Sequence, residues 1–310
     1  MEEIKCILCE SDKIHLIAPV NTSELARLYH IRAGVNVKKF FLQDSIHLYH
    51  CKNCDLKFFW PAVTGDGKFY DDLQEYPGYF LKDKFEYLKA AEYIDKNDDV
   101  LEIGCGEGIF TNFITCRSYH GLELSDKAIA KAKEKGIDIG KQSIEEYSAH
   151  TKTRYDVVCF FQVLEHISDP KKFITNALKC LNPGGKLIIA VPSEDSFIKD
   201  AVNFYLNMPP HHVSRWTDRC LEKIATLFGL TINSTIHEPL HSIHKNFYLK
   251  TKFFTSLSGF LGIRRKQINM SFAGTVVYAM SAIAAFFCSP FLGNKRKING
   301  QSVLVVYTKH

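Results

Sequence analysis

The sequence predicts an α/β chain built on a mostly parallel sheet, and three observations predict it. A short run at residues 100–103, apolar except for Glu102, ends in glycines at 104, 106 and 108. A buried strand ends this way when the backbone must turn sharply, admit a ligand and open a helix. A second run, 157–161, is wholly apolar, and so is a third, 187–191, which follows a helix ending at Asn182 and a Pro-Gly-Gly turn. Continuous apolar runs of this length between helical segments fit strands covered on both faces.

The chain has 310 residues, 46% hydrophobic and 24% charged, enough for one large domain or two unequal ones. Its net charge of +5 is mild and no long basic run lies in the core, so no nucleic-acid partner is expected. The first ten residues are acidic and lack an apolar signal region, which predicts a cytoplasmic protein. In that compartment the ten cysteines read as thiols or metal ligands. Cys105, Cys116, Cys159, Cys180, Cys220 and Cys288 sit in apolar or helical settings and read as small buried residues.

Residues 1–65 form the first unit. Cys6 and Cys9, then Cys51 and Cys54, make two C-x-x-C pairs separated by 41 residues. Each pair sets two sulfurs on a tight turn, and two such turns face to face make a tetrahedral thiolate site suited to structural zinc. The insert is longer than a usual ribbon spacing, so it must fold on its own or pack on the main domain. Neither pair opens a helix in a βαβ unit, which argues against a redox role. Unliganded structural cysteines are the alternative, and His47 and His50 read as packing or surface residues. Residues 66–95 follow as a linker and helix rich in tyrosine, with Tyr70, Tyr76 and Tyr79 able to line a cleft or to pack head on core.

In the central unit, Glu123 lies fifteen residues beyond Gly108 at the end of another apolar run, 119–124. A carboxylate there can accept hydrogen bonds from a ribose diol, or it can serve as a helix-start carboxylate ahead of Ser125 and Asp126. A dinucleotide fingerprint requires G-x-G-x-x-G, and Ile109 stands at its last glycine position. The pattern present, G-x-G-x-G preceded by Glu102, resembles the first motif of class I S-adenosylmethionine-dependent methyltransferases. Residues 155–170 resemble that family's fourth strand and following turn, and 181–192 its fifth strand. Residues 209–217 resemble a loop of one large subgroup acting on small molecules, lipids and sugars. Four motifs stand in family order over residues 98–240.

The resemblance implies a Rossmann-like methyltransferase fold, a doubly wound, mostly parallel seven-stranded sheet formed by 96–240 plus 301–310. Residues 231–237 and 302–308 would be its sixth and seventh strands, paired antiparallel at the edge. It implies S-adenosylmethionine as cofactor, with Glu102, Gly104 and Gly106 at the methionine and ribose end. Glu123 would hold the ribose hydroxyls, Gln142, Ser143 and Ile144 would contact adenine, and Phe161 and Gln162 would stand at the methionine end. Glu165, His166 and His212 are the catalytic candidates. A neutral imidazole can take a proton from an acceptor hydroxyl, and the Glu-His pair can equally fix its turn by hydrogen bonds. Of the two adjacent histidines His212 matches the motif better than His211, with Thr217 capping a helix over 218–228 that stops at Gly229. The head resembles the zinc-ribbon head of bacterial methyltransferases of surface-polysaccharide and deoxysugar pathways.

Residues 241–300 interrupt the two edge strands with an apolar, helical insertion far longer than a hairpin loop. No charge falls between Ile268 and Asn294, and basic triplets at 264–266 and 295–297 flank this stretch. Eighteen residues of helix reach ~27 Å, near the lower limit for a bilayer. A single crossing is excluded if both edge strands share one sheet. The pattern predicts a monotopic hairpin in contact with an anionic leaflet, peripheral at the inner face of the membrane; a soluble helical subdomain is the alternative. The expected acceptor is a small molecule: a hydroxyl or carbon of a lipid-linked or nucleotide-linked sugar, or a quinone-like lipid. A non-catalytic methyltransferase-fold membrane scaffold is the competing class, with a nicotinamide-dependent oxidoreductase behind it.

Overall fold

The computed structural model describes residues 4–74, 84–264, 266–293 and 298–310. The head begins with strand β1 (Ile14–Asn21), helix α1 (Thr22–Ala33) and strands β2 (Ser45–Cys51) and β3 (Lys57–Trp60). Helix α1 is capped at both ends: the Asn21 side chain accepts from Glu24 N, and Gly34 closes it at φ 70°. The 41-residue insert therefore folds into its own strand and helix. Helices α2 (Gly67–Gln74) and α3 (Phe85–Ala91) lead into the core, and Tyr76 and Tyr79 lie outside the described residues.

The core alternates strand and helix: β4 (Asp99–Ile103), β5 (Ser118–Glu123), α4 (Asp126–Glu134), β6 (Ile139–Lys141), α5 (Ile144–His150), β7 (Tyr155–Phe161), α6 (Pro170–Lys179) and β8 (Leu181–Pro192). A two-residue strand β9 (Ser214–Arg215), helix α7 (Asp218–Phe228) and strand β10 (Leu230–Pro239) follow. Helices α8 (Lys245–Phe260) and α9 (Phe272–Cys288) precede the last strand, β11 (Asn299–Lys309). The seven-stranded sheet runs β10-β11-β8-β7-β4-β5-β6, parallel except for β11, which is antiparallel to both neighbours. This is the doubly wound, mostly parallel sheet that the resemblance implies. Its central strands carry the core: Val157, Val158, Cys159, Ile188, Ile189 and Val305 are buried.

Helix α7 has the bounds its sequence signals define, with Thr217 accepting from Cys220 N and Gly229 at φ 66°. The glycine turn behaves differently. A short 3₁₀ segment (Ile109–Phe113) follows Gly108 where an α-helix is expected, so the turn is not backed by a helix dipole.

The head is not a detached knob. Its sheet runs β1-β2-β3-β9, taking its fourth strand from residues 214–215. Its own core joins Leu25, Tyr29, Phe59 and Phe69 to Tyr205 and Met208 of the chain beyond β8. The Tyr29 hydroxyl donates to the carbonyls of Tyr205 and Met208 at 2.8 and 2.9 Å. The head thereby holds the loop that carries His211 and His212.

Candidate active site

Both ends of the glycine turn are set by close packing. Gly104 (φ 71°) donates its N–H to Leu122 O at 2.8 Å, and a Cβ on it would lie 2.6 Å from Val163. The turn is thus pressed against the segment that leads to Glu165 and His166. Gly106 (φ 56°) meets nothing within 4 Å of a built Cβ, so open space lies over its backbone.

Glu123 ends β5 beside it. One oxygen accepts from Leu124 N and Ser125 N at 2.7 and 2.8 Å, and the other accepts from Gly106 N at 2.8 Å. The two readings of Glu123 merge here: the carboxylate starts helix α4 and also binds the glycine turn. Its remaining acceptor capacity, and the bare backbone of Gly106, fit the hydroxyls of a ribose.

Several of the expected cofactor-contact residues also have structural partners. Glu102 is buried within β4, where Tyr119 donates to Oε2 at 2.5 Å, and burial pushes its carboxyl up to about 8. It braces the strand below the turn. Ser143 is the N-cap of α5 in a reciprocal capping box with Glu146, so its hydroxyl is engaged. Ile144 is buried in the main core. Gln142, just beyond the end of β6, is half-exposed, as is Ser143. Gln162, at φ 56°, turns its amide to Glu86 Oε1 at 3.4 Å and Ser302 Oγ at 3.2 Å. Phe161 packs edge-on with Phe110 and Tyr87, ring centroids 4.8 and 5.2 Å away. Glu86 and Tyr87 of α3 were not singled out from the sequence, and only their burial in the fold marks them.

The catalytic candidates converge. A 3₁₀ turn (Leu164–His166) follows β7, and Glu165 O accepts from Val213 N at 2.8 Å, which docks the histidine loop onto it. His166 Nδ1 donates to His211 O at 2.6 Å and His211 Nδ1 to Leu206 O at 2.7 Å. His212 Nδ1 lies 3.1 Å from Asn207 Oδ1. Glu165 Oε1 lies 4.0 Å from His166 Nε2 and 3.9 Å from His212 Nε2. Glu165 is 1% exposed, and neither of its oxygens has a hydrogen-bond partner among the described residues. Burial lifts its carboxyl to about 8, lowers His166 to about 4 and drives His211 and His212 well below the usual imidazole range. At neutral pH the three rings are therefore neutral, and these approaches are not ion pairs. His211, ranked second in the sequence, belongs to the cluster as fully as His212. Tyr70 joins from the linker, its hydroxyl 3.4 Å from His166 Nδ1.

In the head, Cys6 Sγ and Cys54 Sγ lie 3.5 Å apart, as do Cys9 Sγ and Cys51 Sγ, and all four sulfurs fall within 4.8 Å of one another. The two turns repeat one geometry. Glu10 N donates to Cys6 O and Asp55 N to Cys51 O, both at 2.9 Å, with Glu10 and Asp55 at φ 58° and 67°. Four sulfurs on matched turns fit a tetrahedral ion, whose edges are about 3.8 Å for Zn–S bonds of ~2.3 Å.

Among known proteins, a family model described as a methyltransferase domain matches residues 73–235, just over half of the chain. A ubiquinone biosynthesis O-methyltransferase of Nitrosospira multiformis is 28% identical over 178 residues, 51% of this chain and 74% of that protein. One from Aromatoleum aromaticum is 31% identical over 112 residues, 32% of this chain and about half, 48%, of that protein's length. A solved S-adenosylmethionine-dependent methyltransferase from Archaeoglobus fulgidus is 17% identical, with a TM-score of 0.46 over 71% of this chain and 90% of that one.

Proposed function

The chain belongs to the methyltransferase-domain family and is a class I S-adenosylmethionine-dependent methyltransferase; from that premise we propose that its acceptor is a hydroxyl-bearing, lipid-borne small molecule, either a quinone-like lipid or a lipid-linked sugar. One observation carries the lipid part. Helix α9 turns Gly274, Val277, Ser281 and Ala285 inward, while Phe272, Met280, Ile283, Phe286 and Phe287 face outward. Water-facing helices bury the large residues instead. Twenty residues, Phe272–Phe291, have the length and hydropathy of a membrane span, with 22% of the window buried. Because β10 and β11 pair in one sheet, the chain returns to the side it left. The reading is therefore a monotopic hairpin, peripheral at the inner face of the membrane. Exposed Arg264 and Lys266 favour an anionic leaflet; Arg265 and 295–297 lie outside the described residues. The relatives' naming for ubiquinone biosynthesis supports transfer to oxygen on a quinone-like lipid.

When bound, the cofactor supplies a methyl already electrophilic on its sulfonium, so the protein contributes mostly alignment. Glu123 and the Gly106 backbone hold the ribose, and Gln142 meets the base. Glu165, His166 and His212 would hold the acceptor hydroxyl, and the neutral His166 ring would take its proton at Nε2. Cys6, Cys9, Cys51 and Cys54 hold a structural zinc that keeps the head, and so the histidine loop, in place; elemental analysis of protein purified without added metal should find it. The test of the main reading is a methyl-transfer assay with labelled cofactor on vesicles carrying a catechol-type prenyl lipid or a lipid-linked sugar. Transfer to vesicle lipid, with protein floating alongside anionic vesicles, is the expected result. A chain that ignores vesicles and methylates only water-soluble acceptors overturns it.

A further inference from the structure

We propose that Arg215 is a positioning residue for the methyl transfer: it joins the turn between α8 and α9 to the backbone of Asn207, and through Asn207 it fixes the His212 ring with Nε2 turned toward the acceptor. Arg215 stands in β9, where it pairs with Lys57 of the head sheet, and it is 5% exposed. Its guanidinium reaches two separate segments. Nη2 and Nε donate to Asn207 O at 2.8 and 3.3 Å, and Nη1 donates to Gln267 Oε1 at 2.9 Å. The guanidinium also lies over the buried Phe59 ring, 5.1 Å from its centroid. The Asn207 side chain meets the histidine: Oδ1 accepts from His212 Nδ1 at 3.1 Å. A neutral ring that carries its proton on Nδ1 keeps a lone pair on Nε2. That nitrogen stands on the side of Glu165, 3.9 Å from Oε1.

The turn that supplies Gln267 is built into the same place. Gln267 O accepts from Asn203 N at 3.0 Å, and the Asn203 side chain bonds Asn269 N and Asn269 O at 2.8 and 3.1 Å. Between them Ile268 is buried with Tyr205 and Met208 in the head core. Successive residues of the insertion are thus fastened to the segment 203–208, just ahead of the histidines. Taking a guanidinium out of water is costly, and the Glu194 carboxylate that favours its charge is itself paired with Lys57 at 2.9 Å. A buried charge of this kind is retained where it holds one arrangement against its alternatives. Arginine suits the position because its planar fork reaches a carbonyl on one segment and an amide on another at once, which a lysine ammonium does not. Holding a ring to a fraction of an ångström matters where alignment is most of what the protein contributes. The effect on transfer rests on the acceptor reading above; the orientation of the ring does not.

The test compares Arg215→Lys, Gln267→Ala and Gln267→Glu in the full chain, isotope-labelled at the histidine ring nitrogens. NMR of the wild type should show His212, assigned by its loss in His212→Gln, as a single tautomer with the proton on Nδ1. Arg215→Lys and Gln267→Ala should mix the tautomers and lower kcat about ten- to a hundredfold. The loss should be alike on a catechol-type prenyl lipid in vesicles and on a water-soluble catechol, with S-adenosylmethionine affinity and vesicle flotation unchanged. Gln267→Glu keeps an acceptor for the guanidinium and should restore both spectrum and rate. Calorimetry of S-adenosylmethionine binding identifies the folded variants, and Gln267→Ala decides the matter if Arg215→Lys does not fold. A folded variant in which either the tautomer or kcat is unchanged overturns the proposal. So does a loss of rate confined to the vesicle lipid, which would place the effect of the turn at the membrane and not at the ring. If the wild type methylates neither acceptor, the acceptor reading fails, and the His212 spectra alone decide whether Arg215 holds the ring.

Discussion

Helices α7 and α9, of 11 and 17 residues, have the same kind of N-cap, yet they are built inside out relative to each other. Helix α7 buries Cys220, Leu221 and Ile224 against the sheet and exposes Arg219, Glu222 and Thr226. Helix α9 buries glycine, serine, valine and alanine and exposes phenylalanine, isoleucine and methionine. Apolar residues occur in both, so composition alone does not separate them; the direction of the large side chains does. Helix α7 is solved for water on one side and protein on the other. In α9 the small residues let α8 approach, and the large ones are left for a solvent that is not water.

The largest expected effect tests that reading directly. Phe286, Phe287 and Phe291 are 68%, 66% and 89% exposed. Replacing all three with serine should weaken binding to anionic vesicles about a thousandfold, at ~1.5 kcal/mol for each side chain withdrawn from lipid. Flotation measures it, and unchanged flotation would mean that this face meets protein instead. Next in size is a pair of matched truncations. Leu221, 1% exposed, should cost about 2–5 kcal/mol as Leu221→Ala. Ile283, 60% exposed, should cost less than about 0.5 kcal/mol as Ile283→Ala in detergent-free buffer. Denaturant melts decide between them, and equal costs would place α9 in an ordinary core.

A smaller effect tests whether the two regions are separable. Glu123→Ala removes an acceptor beside Gly106, and cofactor affinity should fall by roughly 1.5–3 kcal/mol, about ten- to a hundredfold. Vesicle binding by the same variant should be unchanged. Calorimetry and flotation on one preparation read both, and loss of vesicle binding together with cofactor binding would show that the hairpin needs a loaded core.

How much was legible follows one rule: signals carried within a few residues could be read, and choices made by distant contacts could not. The Thr217 cap, the Gly229 stop, the two cysteine turns and the glycine turn are local, and each is where the sequence puts it. The antiparallel edge formed by β10 and β11 was legible across the long insertion because both strands keep their apolar pattern. The cap made by Ser143 and the core placement of Ile144 were not read, because a serine before an apolar residue looks the same whether it faces a ligand or its own helix. The partner of Glu102 was hidden for a related reason: its pairing with Tyr119 depends on register between β4 and β5. His212 was ranked above His211 on its match to the motif, yet both join the cluster, since adjacent residues in a loop have no periodicity to tell which faces the site. The anchoring of that loop by Tyr29 spans more than 170 residues and leaves no mark on either segment.

The smallest prediction uses the caps that α7 and α9 share. Thr217 Oγ1 accepts from Cys220 N at 3.1 Å, and Ser271 Oγ accepts from Gly274 N at 3.1 Å. Each cap alone is worth about 1 kcal/mol, so removing either would cost the same if caps were all that mattered. They are not placed alike. The Thr217 hydroxyl also donates to Asp55 Oδ2 at 2.7 Å, on the residue after Cys54. Thr217→Ala therefore loses a cap and a tie between core and head, and should cost about 1–2 kcal/mol, with Thr217→Ser restoring most of it. Ser271→Ala should cost about 1 kcal/mol or less, confined to the hairpin. Thermal melts followed alongside metal release distinguish the two: Thr217→Ala should speed loss of metal from the four sulfurs, and Ser271→Ala should leave it unchanged. Equal metal release from both variants would mean that the head holds its sulfurs without help from the core, and that the Thr217–Asp55 contact is only a neighbour of the cap.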